Sequence, residues 1–171
     1  MDTLFRMNWQ LRDSWFVWCE NVPQIELSAA REGGHGTILQ TLFHIVDMEQ
    51  SWMRSFAGRA EHHFHYEDYA DLDAIMALSD RCRPFIEDVI KAWGPEKDQE
   101  AFSLFGADGR QIETTCGTAI RYVASHEIYH LGQLSMWARQ LGYEPVEMSL
   151  LLTDPFGLRR PSKAKGRSRQ R

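Results

Sequence analysis

The chain has 171 residues, 43% apolar and 25% charged, the balance of one soluble domain able to bury about two thirds of its unfolded surface. No apolar run approaches bilayer length, and the opening M-D-T-L-F-R-M-N-W lacks the basic-then-apolar order of a leader, so a cytoplasmic protein without a membrane partner is expected. The net charge of −5 conceals an asymmetry: Arg159 to Arg171 hold seven cations and no acid, leaving −12 on residues 1–158, a poor surface for nucleic acid.

From Leu4 to about Val22, the residues Leu4, Leu11, Trp15, Trp18 and Val22 recur at helical spacing, and Pro23 ends the segment. The loop R-E-G-G-H-G follows. Thr37 is placed to cap a second helix that reaches Ala57, ahead of Gly58, with Ile38, Leu42, Ile45, Trp52 and Phe56 on one face. A polar and aromatic linker, A-E-H-H-F-H-Y-E-D-Y, shows no clear period. Asp71 then opens a third helix carrying Leu72, Ile75, Leu78, Cys82, Phe85, Val89 and Trp93, stopped by Gly94-Pro95. Pro84 lies inside that pattern, which predicts a kink or break near Arg81 to Arg83.

The stretch F-S-L-F-G-A-D-G-R-Q-I-E-T reads as a β-hairpin turning at Asp108-Gly109. A fourth helix runs from about Thr115 to Leu141, with Gly142 as its C′ residue and Pro145 barring continuation. Four long amphipathic segments predict an all-α four-helix bundle with the short β-hairpin between helices 3 and 4. The bundle domain is assigned to residues 1–158. Residues 159–171 read as a disordered basic tail, solvated or weakly drawn to polyanions.

The fourth helix holds the chemistry. Its core stripe is Ile120, Val123, His126, His130, Leu134, Trp137 and Leu141, so two adjacent core turns carry imidazoles. Side chains at i and i+4 lie about 5–6 Å apart at Cβ, and their ring nitrogens can meet on one cation at about 2.0–2.1 Å. Two satisfied core histidines are the competing reading, but each unpartnered buried ring nitrogen costs about 1–3 kcal/mol. His44 offers a third ligand. It falls about 40° beyond Met48, at the edge of the second helix's apolar arc. Three neutral imidazoles leave a dication uncompensated and a coordination position open, the pattern of a catalytic centre.

The string His126-Glu127-Ile128-Tyr129-His130 also matches H-E-x-x-H, in which the Glu serves a zinc peptidase as general base. A downstream ligand on a helix and an extended edge for a peptide are both missing, so the Glu reads as incidental. Glu49, inside the second helix's apolar arc, is either an acceptor fixing an imidazole tautomer or a rim residue paired with Arg54 or Lys91. Gln133 either hydrogen-bonds a substrate or occupies the rim. His62, His63 and His65 form a solvated or mouth-lining loop or an adventitious metal cluster. Cys19, Cys82 and Cys116 read as reduced, buried thiols, with Cys116, near a helix start, the one to test for a lowered pKa.

Three stretches together resemble the DinB/YfiT superfamily of bacterial four-helix proteins: G-T-I-L-Q-T-L-F-H-I-V-D-M-E-Q-S-W, H-E-I-Y-H-L-G-Q-L and A-R-Q-L-G-Y-E-P. The resemblance covers roughly residues 4–153. It implies a down-down-up-up bundle, frequently a homodimer, with a divalent metal held by His44, His126 and His130 and a small-molecule substrate or water completing the shell. Characterised relatives of this kind activate low-molecular-weight thiols such as bacillithiol, mycothiol or glutathione. Tyr129 and Leu131 depart from the polar or basic residues that often flank the second ligand there, while Pro84 and the tail lie outside the pattern.

Such a centre can activate water for hydrolysis or stabilise a thiolate for transfer, and nitrogen donors suit Zn, Ni, Fe and Mn alike. The chemistry alone does not choose between these; with the resemblance, a metal-dependent thiol S-transferase is the first expectation. A non-catalytic metal- or ligand-binding stress protein is the second, and a metallohydrolase the third.

Overall fold

The computed structural model describes residues 2–105 and 108–148; the boundary at 158 and the basic tail lie outside them. Its order is α1 (Asp2–Cys19), α2 (Gln24–Leu27), α3 (Ile38–Phe56), a 3-10 turn (Tyr66–Tyr69), α4 (Leu72–Lys91), α5 (Pro95–Gln99), β1 (Ala101–Phe105), β2 (Gln111–Thr115) and α6 (Cys116–Gln140). The four long helices are the expected bundle. Helices α1 and α3 each pack against α4 and α6, which places α1 diagonally opposite α3. The hairpin also forms as expected, with β1 antiparallel to β2 and Ser103 opposite Glu113.

Local chemistry sets the helix ends. Thr37 accepts from the Gln40 N–H while the Gln40 side chain accepts from the Thr37 N–H, a reciprocal capping box. Asp71 and Thr115 cap α4 and α6 through Ala74 and Thr118. Gly142 follows α6 at φ +79°, the left-handed conformation a helix-terminating glycine supplies.

Two boundaries differ from the sequence reading. Helix α1 closes at Cys19, and Val22 lies in the following turn, buried, ahead of the separate α2. Helix α4 is unbroken across Pro84. Proline there costs the one hydrogen bond its nitrogen would donate to Asp80. Both residues are exposed, so water satisfies that carbonyl while Leu78, Ile86 and Ile90 stay packed on the opposite face. The buried side of α4 accordingly follows Ile86 and Ile90, with Phe85, Val89 and Trp93 only half-buried.

The core is divided. One apolar cluster holds Leu11, Trp15, Leu39, Leu42, Leu78, Leu134 and Trp137. The other holds Phe5, Trp9, Met53, Phe56, Ile86, Ile120 and Val123. Between them, at mid-height on three of the helices, stand Arg12, Glu49 and Glu127, each no more than 3% exposed. Trp15 and Trp137 are among the largest fully buried side chains, and truncating either to Ala would cost about 3–5 kcal/mol.

Candidate metal centre

Helices α3 and α6 pack side by side, and the histidines lie along their seam. The four-residue spacing on α6 stacks His126 and His130 on one side of the helix. The Nε2 atoms of His130 and His126 are 3.0 Å apart, and those of His44 and His126 are 3.3 Å apart. Ligand atoms of all three lie within 4.8 Å of one another, with His130 buried and the other two half-buried. Neighbouring nitrogens about 2.1 Å from one cation are separated by about 3.0 Å at a right angle and about 3.4 Å at a tetrahedral one. The three imidazoles therefore fit a divalent ion, and the seam leaves two of them within reach of solvent.

Their protonation suits the same task. Burial lowers the His44 pKa to about 3, helped by the charges of His35, His126 and His130. Burial, then His130 and His35, lowers His126 to about 4. His130 is also lowered by burial, against its hydrogen bond to Gln133, which works the other way. All three rings are neutral near pH 7, as metal ligands must be.

Gln133 fixes one tautomer. Its Nε2 donates to the Gly33 carbonyl at 3.1 Å, so its Oε1 faces His130 Nδ1 at 2.8 Å. An amide oxygen only accepts, so Nδ1 carries the proton and the His130 lone pair sits on Nε2, toward the other two rings. Gln133 is thus neither free to take a substrate nor an idle rim residue.

Glu127 follows a different course from its neighbour His126. Arg12 Nε and Nη2 donate to its two oxygens at 2.7 and 2.8 Å. Arg12 Nη2 also donates to Glu49 Oε2 at 2.7 Å, and Trp9 Nε1 donates to Glu49 Oε1 at 2.8 Å. Burial opposes the Arg12 charge, but the two carboxylates outweigh it and raise the guanidinium's pKa. Burial also pushes Glu127 up, Arg12 pulls it down, and Glu49 adds to the rise. Glu127 is committed to this bidentate pair, which bars it from acting as a peptidase base. Contrary to both roles the sequence suggested, Glu49 serves neither an imidazole nor Arg54 or Lys91; its partners are Arg12 and Trp9.

The second histidine group is exposed, as a solvated loop should be. His63 is nonetheless tied down. Its Nδ1 meets Asp47 Oδ2 at 2.7 Å and its Nε2 meets Ser51 Oγ at 3.3 Å. This Asp–His–Ser line lacks what a nucleophilic serine requires. Ser51 is 1% exposed, in the interior of α3 where backbone N–H groups are spent on the helix. With Gln50 Nε2 donating to the His62 carbonyl and Phe64 N–H to Asp47, it straps the linker to α3. All three cysteines are free. Burial raises the Cys116 thiol, contrary to the lowered pKa considered for it.

Two features escaped the sequence reading. Arg12 lies on the buried side of α1, where a charge among apolar residues reads as surface. His35, in the glycine-rich loop, stacks on His44 with centroids 3.8 Å apart and planes at 21°. Only the excess of buried acids over visible partners, and the unusual R-E-G-G-H-G string, hinted at either.

Comparison with known proteins bears on the same residues. The DinB family profile matches residues 1–156. An uncharacterized protein, YizA, of Bacillus subtilis (strain 168) is 38% identical over 151 residues, covering 88% of this chain and 94% of that protein.

Proposed function

The chain belongs to the DinB family, and on that premise we propose that it binds one divalent cation through His44, His126 and His130 and acts as a metal-dependent enzyme of thiol S-transferase type on a small-molecule substrate. The observation that carries this reading is the convergence of three neutral imidazole nitrogens at 3.0 and 3.3 Å on an accessible seam. When bound, the cation supplies the charge that stabilises a small anionic nucleophile, a thiolate above all.

The chain's own residues supply the rest. Burial keeps protons off the ligands. Gln133 aims the His130 lone pair. The rings of Tyr129 and Tyr122 lie beside the centre, centred 5.2 and 5.8 Å from His130 and His126. Leu131 turns into the core at 0% exposure, so of the two departures from the thiol-binding pattern only Tyr129 is exposed.

The test is turnover of an electrophile such as chlorodinitrobenzene with glutathione, bacillithiol or mycothiol, compared between metal-loaded and metal-stripped protein. Thiol transfer confined to the loaded form supports the reading. Turnover that survives stripping contradicts it, and a loaded protein inert with every thiol points to the non-catalytic metal-binding alternative. We also propose a homodimer. Tyr122, Tyr129 and Met136 recur at steps of seven on α6 and are 51, 64 and 61% exposed, an apolar stripe a second copy would cover. Light scattering at micromolar concentration should give twice the chain mass, and a monomer throughout would contradict the proposal.

A further inference from the structure

Ligand rings hold a metal well only when something fixes their orientation, and a hydrogen bond from the distal nitrogen commonly does so. His130 has that bond, donated from its Nδ1 to Gln133 Oε1. His44 does not: among the described residues, its hydrogen-bonding contact is His126 Nε2 alone. What lies flat against the His44 ring is His35, at 3.8 Å, which also meets the edge of His130 with centroids 6.2 Å apart.

The loop carrying His35 is built for that contact. Trp137 Nε1 donates to the Glu32 carbonyl and Gln133 Nε2 to the Gly33 carbonyl, both at 3.1 Å. The Arg31 N–H donates to the Gly36 carbonyl at 2.8 Å, closing the loop on itself. Its glycines have separate reasons to be glycine. Gly33 and Gly36 sit at φ +77° and +92°, a region where side chains are strained. At Gly34 an added Cβ would stand 2.3 Å from the Trp137 ring. An exposed histidine held by this much determined backbone is not an ordinary surface residue.

We infer that the 31–36 loop is a positioning element of the imidazole centre and that His35 is the residue through which it acts, orienting His44 by stacking as Gln133 orients His130 by hydrogen bonding. Gln133 joins the two devices, since one amide reads both the loop and a ligand. The inference rests on the metal-binding reading above, and its test separates the two.

Zinc affinity is measured by competition with a chromophoric chelator, and cobalt substitution reports the ligand field, for the full chain and for His35→Ala, His35→Phe and Gly34→Ala. His35→Ala should weaken zinc about tenfold, the lower end of what loss of a ligand's supporting partner costs, and should alter the cobalt spectrum. His35→Phe keeps a ring to stack and should recover affinity to within about threefold of the parent, on the same scale. Gly34→Ala displaces the loop without touching the imidazole and should behave like His35→Ala. Melting of the metal-free proteins checks folding, and His35→Phe keeps the test decisive if Gly34→Ala does not fold. His35→Ala binding zinc as tightly as the parent overturns the inference and leaves the metal reading standing. His35→Phe as weak as His35→Ala overturns it too, since stacking would then not be the cause. A parent chain that binds neither zinc nor cobalt overturns both.

Discussion

His126 and Glu127 are neighbours in the chain and opposites in environment. Both belong to clusters built from α3 and α6, His126 with His44 and His130, Glu127 with Glu49. In the acidic cluster α1 contributes Arg12, whose donors reach Glu127, Glu49 and Ser79. Its polar atoms are paired from within the protein, in a layer 1–3% exposed between two apolar clusters. In the imidazole cluster like groups face like groups, and nearby protein charges disfavour protonation without supplying an opposite charge. The difference teaches which polar cluster is architecture and which could hold an ion. A buried group whose partners are complete holds the fold; ligating atoms that converge on each other at coordination spacing call for something from outside. The motif H-E-x-x-H runs through both and belongs to neither as a unit.

Breaking the acidic cluster should have the largest effect. Arg12→Met leaves two carboxylates buried without their cation and should cost about 3–5 kcal/mol, read as a fall in the denaturation midpoint. Glu127→Gln removes the surplus negative charge while keeping an acceptor. It should cost no more than about 1.5–3 kcal/mol, the range for a charged hydrogen bond, and retain the metal. An Arg12→Met protein as stable as the parent would dissolve the contrast from the architectural side.

Breaking the imidazole cluster should cost function and little fold. His126→Ala or His130→Ala should abolish stoichiometric metal binding, seen by elemental analysis, with helical content by circular dichroism nearly unchanged. Loss of helix in step with loss of metal would mean that the centre, too, is architecture.

Acid sharpens the comparison by a smaller amount. The folded pKa values of His44 and His126, about 3 and about 4, lie below the unfolded value of about 6.5. Between those limits the unfolded chain binds more protons, so stability rises with pH across the window and is lost as pH falls from about 6.5 toward 4. His63, raised by Asp47 and Glu61 against its burial, pulls the opposite way, but its side chain is 47% exposed and its effect is screened. Melting of the metal-free protein should therefore be flat above pH 7 and decline below it. A melting temperature that climbs toward pH 5 would contradict the burial assigned to the imidazoles.

The bundle, the hairpin and the three candidate ligands were legible in the sequence because each rests on a local period. Caps at Thr37 and Asp71, apolar steps of three and four, and two histidines one turn apart are all visible within a dozen residues. What escaped has no period. Arg12 and Glu127 are 115 residues apart, and whether a charge on an apolar stripe is buried depends on a partner delivered from another helix. Pro84 misled because the cost of a proline depends on which face its lost bond exposes. His35 lies in a loop whose destination is set by Trp137 and Gln133 at the far end of the chain, so its place beside His44 is a product of the fold alone.

The central claim is that the imidazole cluster takes an ion from outside while the adjacent acidic cluster is closed. Elemental analysis of protein purified without a nickel column tests it most directly, on the parent chain, His126→Ala and Glu127→Gln together. One divalent ion per chain is predicted in the parent and in Glu127→Gln, and none in His126→Ala. A metal-free parent, or a Glu127→Gln protein that folds yet loses its metal as His126→Ala does, would contradict the account.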